Sequence, residues 1–406
     1  MGQLYDNVWN NSFTKFQWLN QLRSSFYDSD IQTHITYIKA LLLTKGVTID
    51  ESARSEIWSG RWKAPRMVRS GMSGGLEFYL SLEENKIAIS CPYFFKKSNH
   101  SGLILSFNGG KFFLTLNGEI VSEVKLVPQP TYYSFYTSSG ISMANIAQQC
   151  FSKLAIGVYG NCAFNSNPET ACAFCAIHAA TKTDSPRKSD DDILETVGAV
   201  ARSELANVIE TIMLGGGTPN ANDSGAKRFG TLSRKLSKII PWRITAMLVP
   251  PSSDKYLQHL YDAGVTEVSI NLEFGSDEAF EQYTPGKAKF IGRKRYFDCL
   301  EKAVKIFGDC NVQSLLVTGL ESPENTLWAV KWLAKRKIIP VLSPFRPLPF
   351  TVLEKVQPPT ANDTLELYYE AKKIVEHYGI FLGPRCALCQ CNTMTLPWDV
   401  PDALTK

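Results

Sequence analysis

From residue 153 to residue 377 the chain alternates apolar runs of strand length with one-faced helical patterns, six times in succession. The runs at 154–159, 209–214, 243–249, 265–274, 312–317 and 338–342 are near-continuously apolar, as strands buried on both faces must be. Helices are expected over 189–205, 227–239, 254–263, 294–307, 324–335 and 363–377. The first of these has Ser189 as its N-cap, Asp191 and Asp192 in its first turn, and Ile193, Leu194, Val197, Val200, Ala201 and Leu205 along one face. Acidic residues there complement the helix N-terminus, and the apolar stripe buries one side. Repeated strand–helix units demand a parallel sheet. Six are too few to close an eight-unit barrel. An α/β fold built on a partial (β/α)6 TIM-like barrel is expected, with ligands at the C-terminal ends of its strands.

The preceding 150 residues follow another pattern. A helical period runs through 12–45, with Phe16, Leu19, Leu22 and Phe26 three to four apart. Short alternating runs follow at 76–82, 86–90, 103–107, 112–116 and 120–124, and the turn signals Asn108-Gly109-Gly110 and Asn117-Gly118 join the last three. Such runs predict antiparallel hairpins. Three parts are expected: an N-terminal α+β domain over 1–150, the barrel over 151–380, and a short Cys-rich C-terminal extension over 381–406.

Composition narrows the function. Of 406 residues, 44% are hydrophobic and 20% charged, enough apolar matter for a large core and too little charge for a disordered chain. With 43 basic and 39 acidic side chains no nucleic-acid partner is expected. No apolar run reaches the length of a membrane span, so no membrane association is expected. Residues 1–6 lack a secretory leader's basic and apolar regions, which together with ten cysteines predicts a reducing, cytoplasmic setting where thiols serve metals or catalysis. Only five histidines are present, so the reactive side chains are sulfur.

Three of those cysteines follow the first barrel strand: Cys162, then nine residues, Cys172, two residues, Cys175. Three thiolates on one loop at the mouth of a parallel sheet can hold three irons of a cubane cluster and leave the fourth iron open. Phe174, between the last two, can flank whatever binds there. The alternative is a Cys3His zinc tetrahedron completed by His178. The second strand ends in Gly215-Gly216-Gly217-Thr218, where a side-chain-free backbone can approach a ligand. In the fourth strand Ser269, Asn271 and Glu273 share one face, and polar groups on a buried strand need a polar partner.

These motifs resemble the radical S-adenosylmethionine (radical SAM) superfamily, biotin-synthase-like members included. The family's usual pattern is three cysteines spaced by three and two residues, with an aromatic before the last, on the first loop of a partial (β/α)6 barrel. This chain has nine residues in the first gap, and Gly217 stands where the family's glycine motif carries an acid. The resemblance covers roughly residues 150–350. It implies that Cys162, Cys172 and Cys175 carry a [4Fe–4S] cluster whose open iron chelates SAM. Phe174, Gly215, Gly216, Gly217, Thr218, Ser269, Asn271, Glu273 and Gly319 would then contact SAM. Arg293 would pair with the SAM carboxylate or with Glu273, and Arg346 is a candidate for a substrate anion.

The resemblance also implies an electron donor such as flavodoxin or ferredoxin, and a 5′-deoxyadenosyl radical that takes hydrogen from substrate. No catalytic side chain is assigned, because the cofactor performs the chemistry. A small-molecule substrate in a biosynthetic step is expected, by rearrangement, C–C or C–S bond formation or sulfur insertion. The alternatives are modification of a peptide or protein, or, in another class, a non-catalytic module stabilised by zinc or a cluster. A second sulfur group, Cys386, Cys389 and Cys391, reads as an auxiliary iron–sulfur cluster or mononuclear metal, with a fourth ligand from a distant cysteine such as Cys310 or from substrate. A radical-quenching thiol or a redox pair is the other reading.

Overall fold

The structure, a computed structural model, describes residues 31–66, 74–82, 85–93, 102–116, 118–177 and 188–401. The Phe16–Phe26 helical pattern, Asn117 and His178 lie outside these residues. The helix Ile31–Lys45 turns Ile35, Ile38 and Leu42 inward and packs against the last helix of the barrel, Ala361–His377. Six strands follow, β1 (Thr48–Ile49), β2 (Leu76–Leu82), β3 (Asn85–Cys91), β4 (Leu103–Asn108), β5 (Lys111–Leu116) and β6 (Glu119–Leu126). They form one sheet in the order β1-β4-β5-β6-β2-β3. The expected hairpins are present: β2 with β3, β4 with β5 and β5 with β6 are all antiparallel. Gly109 and Gly110, with φ of 57° and 79°, make the tight β4–β5 turn, because only a residue without Cβ takes two left-handed steps cheaply.

The barrel strands are β7 (Ala147–Cys150), β8 (Lys153–Tyr159), β9 (Thr211–Gly216), β10 (Arg243–Met247), β11 (Glu267–Ser269), β12 (Val312–Thr318) and β13 (Ile339–Pro344). Their order is sequential from β7 to β13. β8 to β13 are parallel to their neighbours, and β7 pairs antiparallel with β8 at one edge. The sheet stays open between β13 and β7. The six expected helices are present as Asp190–Ala201, Ala226–Leu236, Lys255–Asp262, Arg293–Phe307, Pro323–Ala334 and Ala361–His377. Ser189 caps the first: its hydroxyl accepts from the Asp192 N–H while the Asp192 carboxylate accepts from the Ser189 N–H, a closed capping box.

Two regions differ from the sequence expectation. The fourth strand holds its ladder only over Glu267–Ser269. Beyond it Glu273 takes φ 67°, so the chain leaves regular extension, though Ile270, Leu272 and Phe274 stay buried. Two short helices, Asp277–Tyr283 and Pro285–Phe290, occupy the connection that follows. Among the described residues no helix is long and apolar enough to cross a membrane.

The two sheets meet through the C-terminal segment. The Ser90 N–H of β3 donates to the Cys391 carbonyl at 2.8 Å, and the Lys39 ammonium donates to the Gln390 carbonyl at 2.8 Å. Arg346, just past β13, donates to the carbonyls of Gly74 and Ser90.

Candidate active site

A cavity of about 430 Å3 runs through the half barrel, within the size range of small-molecule sites. Lys153 and Tyr159, the first and last residues of β8, both line it. At the C-terminal strand ends its wall is Cys162, Cys172, Phe174, Cys175, Gly216, Gly217 and Thr218. Ser269, Asn271, Glu273, Lys287 and Gln313 line it further in, and Cys389, Asn392 and Thr393 line it from the C-terminal segment.

The cysteine loop is fixed from both sides. The Gly217 N–H donates to the Tyr159 carbonyl at 2.8 Å, and the Ala163 N–H to the Thr218 carbonyl at 2.7 Å. A Cβ on Gly217 would stand 2.2 Å from the Asn161 carbonyl oxygen and 2.7 Å from the Cys162 nitrogen. The glycine therefore lets the Cys162 loop lie against the end of β9. Farther along, the Ala173 N–H donates to the Tyr283 carbonyl at 2.9 Å, and the Cys175 N–H closes a turn on Cys172 at 3.1 Å. The Phe174 ring meets Phe274 edge-on at 6.1 Å, and Phe274 packs on Tyr283 at 5.3 Å. The helix Asp277–Tyr283, unexpected from the sequence, is thus the outer support of the loop.

Burial pushes the Cys172 thiol up to about 12, with the Lys287 cation opposing. It pushes Cys175 up to about 11, against a hydrogen bond from the Ile177 backbone. Burial thus favours the neutral thiol form of both. Beside them the Lys287 ammonium meets the Glu273 carboxylate at 2.6 Å, both nearly buried. Burial alone would lower the Lys287 pKa, but the Glu273 charge overrides it and holds it above the ordinary lysine value. The Tyr296 hydroxyl nearby is buried and finds no hydrogen-bond partner among the described residues.

The expected site residues divide. Ser269 and Asn271 face the cavity together, the serine hydroxyl 2.9 Å from the Asn271 amide oxygen, and Glu273 faces it too. Gly215 lies in β9 and does not line the cavity; nor does Gly319, which packs against Pro359. Arg293 is engaged elsewhere: it pairs with Asp277 at 2.7 Å and donates to the carbonyls of Phe274 and Gly275. Glu273's partner is Lys287, which sequence reading missed; the Thr284-Pro285 step, a Pro at a helix start, was its one available signal. Arg346 lines the cavity while its guanidinium is held by two backbone carbonyls of the N-terminal region.

The C-terminal sulfurs are brought to the opposite end of β8. Cys386 and Cys389 are joined as a disulfide. The Cys391 sulfur lies 3.4 Å from that of Cys150, and both are fully buried. Cys310, the distant cysteine weighed as a further ligand, instead packs with Ile339, Val341, Phe381 and Val400. As the side chains stand, no group of three or more His, Cys, Asp or Glu among the described residues is set to hold a metal ion.

Comparison with known proteins gives a domain match: residues 157–338 match the Radical SAM superfamily. No curated protein matches the sequence. Among solved structures, methylornithine synthase is similar at 14% identity and a TM-score of 0.45, over 62% of this chain and 73% of that one. The [FeFe]-hydrogenase maturase HydG is similar at 12% identity and 0.44, over 63% of this chain and 58% of that one. Coproporphyrinogen III oxidase from Escherichia coli gives 19% and 0.33, over 42% of this chain and 41% of that one. The chain thus spans less than two thirds of the last two. By this match, the chain carries a radical SAM domain over residues 157–338 and is an enzyme.

Proposed function

We propose that Cys162, Cys172 and Cys175 hold a [4Fe–4S] cluster, and that SAM lies along the cavity wall formed by Phe174, Gly216, Gly217, Thr218, Ser269, Asn271 and Glu273. When bound, that pair supplies a 5′-deoxyadenosyl radical that takes a hydrogen atom from substrate. The observation that carries the reading is shared lining: three thiols and the Ser269, Asn271 and Glu273 face border one lumen. The donor set suits a site with one open iron, since among the described residues the one carboxylate lining the cavity, Glu273, is already tied to Lys287.

The protein's own part is to bind, orient and keep water out. Phe174 and Phe274 close the apolar side of the thiol loop, which protects a reactive species from solvent. The Lys287–Glu273 pair sets a fixed charge at the wall. Gly215, Gly319 and Arg293 support the strand ends rather than touch the ligand. The substrate is a small molecule, because the lumen is of small-molecule size; the step is a biosynthetic rearrangement, C–C or C–S bond formation, or sulfur insertion, fed by a flavodoxin- or ferredoxin-type donor. Cys386, Cys389 and Cys391 contribute to a second metal site.

Anaerobic incubation with SAM and dithionite tests this. The expected product is 5′-deoxyadenosine, accompanied by a brown protein with broad absorbance. A colourless protein that leaves SAM intact would overturn the reading and favour a zinc-stabilised module.

A further inference from the structure

The hairpin that begins the barrel brings a fourth cysteine to the C-terminal trio. Cys150 ends β7 and Lys153 begins β8, so Phe151 and Ser152 are the turn, with Phe151 at φ 53°. From that turn the Ser152 hydroxyl lies 2.9 Å from the Cys386 sulfur and 3.7 Å from that of Cys389. Two residues earlier, Cys150 touches Cys391. One turn thus touches both sulfur pairs, all four sulfurs belong to buried residues, and Cys389 borders the cavity.

The charges around this cluster are unbalanced. Lys39 is 1% exposed, Lys153 4% and Arg346 9%. Cys391 lies within electrostatic range of all three. None has a carboxylate within ion-pair distance among the described residues, and the Lys153 ammonium, facing the cavity, makes no hydrogen bond there. The nearby acids are already engaged: Glu77 by Lys63, Glu267 by Arg243 and Arg385, Asp399 by Lys372 and Tyr368. Buried cations without counter-charge are costly, and neutral thiols offer them none.

We propose that Cys150, Cys386, Cys389 and Cys391 form a tetrathiolate metal site, held as a dianion among Lys39, Lys153 and Arg346. This deepens the second-site reading above by supplying its fourth ligand, and it stands independently of the SAM site. The shared chemistry is a thiolate-seeking cationic centre, either a [4Fe–4S] core or zinc. A dithiol reductant first passes two electrons and two protons to the Cys386–Cys389 disulfide, releasing two thiols and becoming a disulfide itself. Four thiols then give up four protons as a doubly positive centre binds, leaving a net charge of −2.

The test removes the first site from the full chain with the triple variant Cys162→Ala, Cys172→Ala and Cys175→Ala, reduced with dithiothreitol. One portion is reconstituted with iron and sulfide, another with zinc alone. The expected result is stoichiometric metal, about four irons or one zinc per chain, which falls by half or more when Cys150→Ser is added and is unchanged by Cys310→Ala. Native alkylation of the wild type, mapped by mass spectrometry, keeps the readout valid should a variant fold poorly: metal should shield all four cysteines together. Absence of stoichiometric metal in the triple variant, or alkylation of Cys150 undiminished by metal, overturns the site. Loss of 5′-deoxyadenosine formation in the wild type would instead refute the SAM reading and leave this one standing.

Discussion

The two sulfur groups of this enzyme are built in opposite ways. Cys162, Cys172 and Cys175 sit on one loop, all within one short stretch of the sequence. Cys150 and Cys391 are 241 residues apart, and their group exists only because a two-residue turn, the end of β3 and the C-terminal segment converge. The loop group lies among a paired acid and base, Glu273 and Lys287. The assembled group lies among cations that have no carboxylate within ion-pair distance among the described residues. A ligand set written in one stretch of chain needs the fold only to aim it; a set gathered from distant stretches needs the fold to create it, and the fold must then balance its charge.

That contrast can be broken most sharply at the sulfurs. Cys175→Ala should reduce 5′-deoxyadenosine formation to background, while Cys389→Ala should retain it; equal loss in both would erase the distinction between the groups. The next largest effect is expected at the paired wall. Glu273→Gln strands the buried Lys287 ammonium and should cost about 3–5 kcal/mol of unfolding free energy, read by chemical denaturation. Little change would mean that Lys287 finds another partner.

Gly217→Ala should cost about 1–3 kcal/mol, as overpacking does, and should lower the iron bound at the first site because the new methyl falls on Asn161. Smallest is the capping box, which belongs to the scaffold. Ser189→Ala should cost about 1 kcal/mol and spare SAM cleavage. Its pH dependence is set by Asp192, where burial pushes the carboxyl up but hydrogen bonds from Ser139 and Ser189 outweigh it and hold the pKa at about 2, below the ordinary 3.8. A depressed carboxylate stabilises the fold fully above 3.8 and loses that contribution as pH falls through about 2. Acid denaturation of wild type and variant should therefore converge only in that range.

Much of the barrel was legible because its signals are local. Ser189 with Asp192 announces a helix start, and apolar runs bounded by turns announce buried strands; the helix starts and every expected barrel strand but the fourth were placed to within a few residues. The loop cysteines and the face of Ser269, Asn271 and Glu273 were legible for the same reason. What escaped was either irregular or long-range. The strand at Ala147–Cys150 reads AQQC, too short and too polar to announce itself, yet all four residues are buried because the turn folds it beneath other chain. Lys39, Lys153 and Lys287 carry no sequence signal of their burial, since lysine is rarely buried. Arg293 was read as a ligand contact because its position along the chain says nothing of Asp277, which captures it.

The hairpin of β7 and β8 carries a mechanical consequence. β8 is seven residues long, roughly 23 Å at the rise of a strand, with the Cys150 turn at its foot and Cys162 just beyond its head. It is a rigid strut with a sulfur centre hung from each end. A slip of one residue would turn its lumen face outward and displace both centres at once, so the spacing between them is as firmly inherited as the sheet itself.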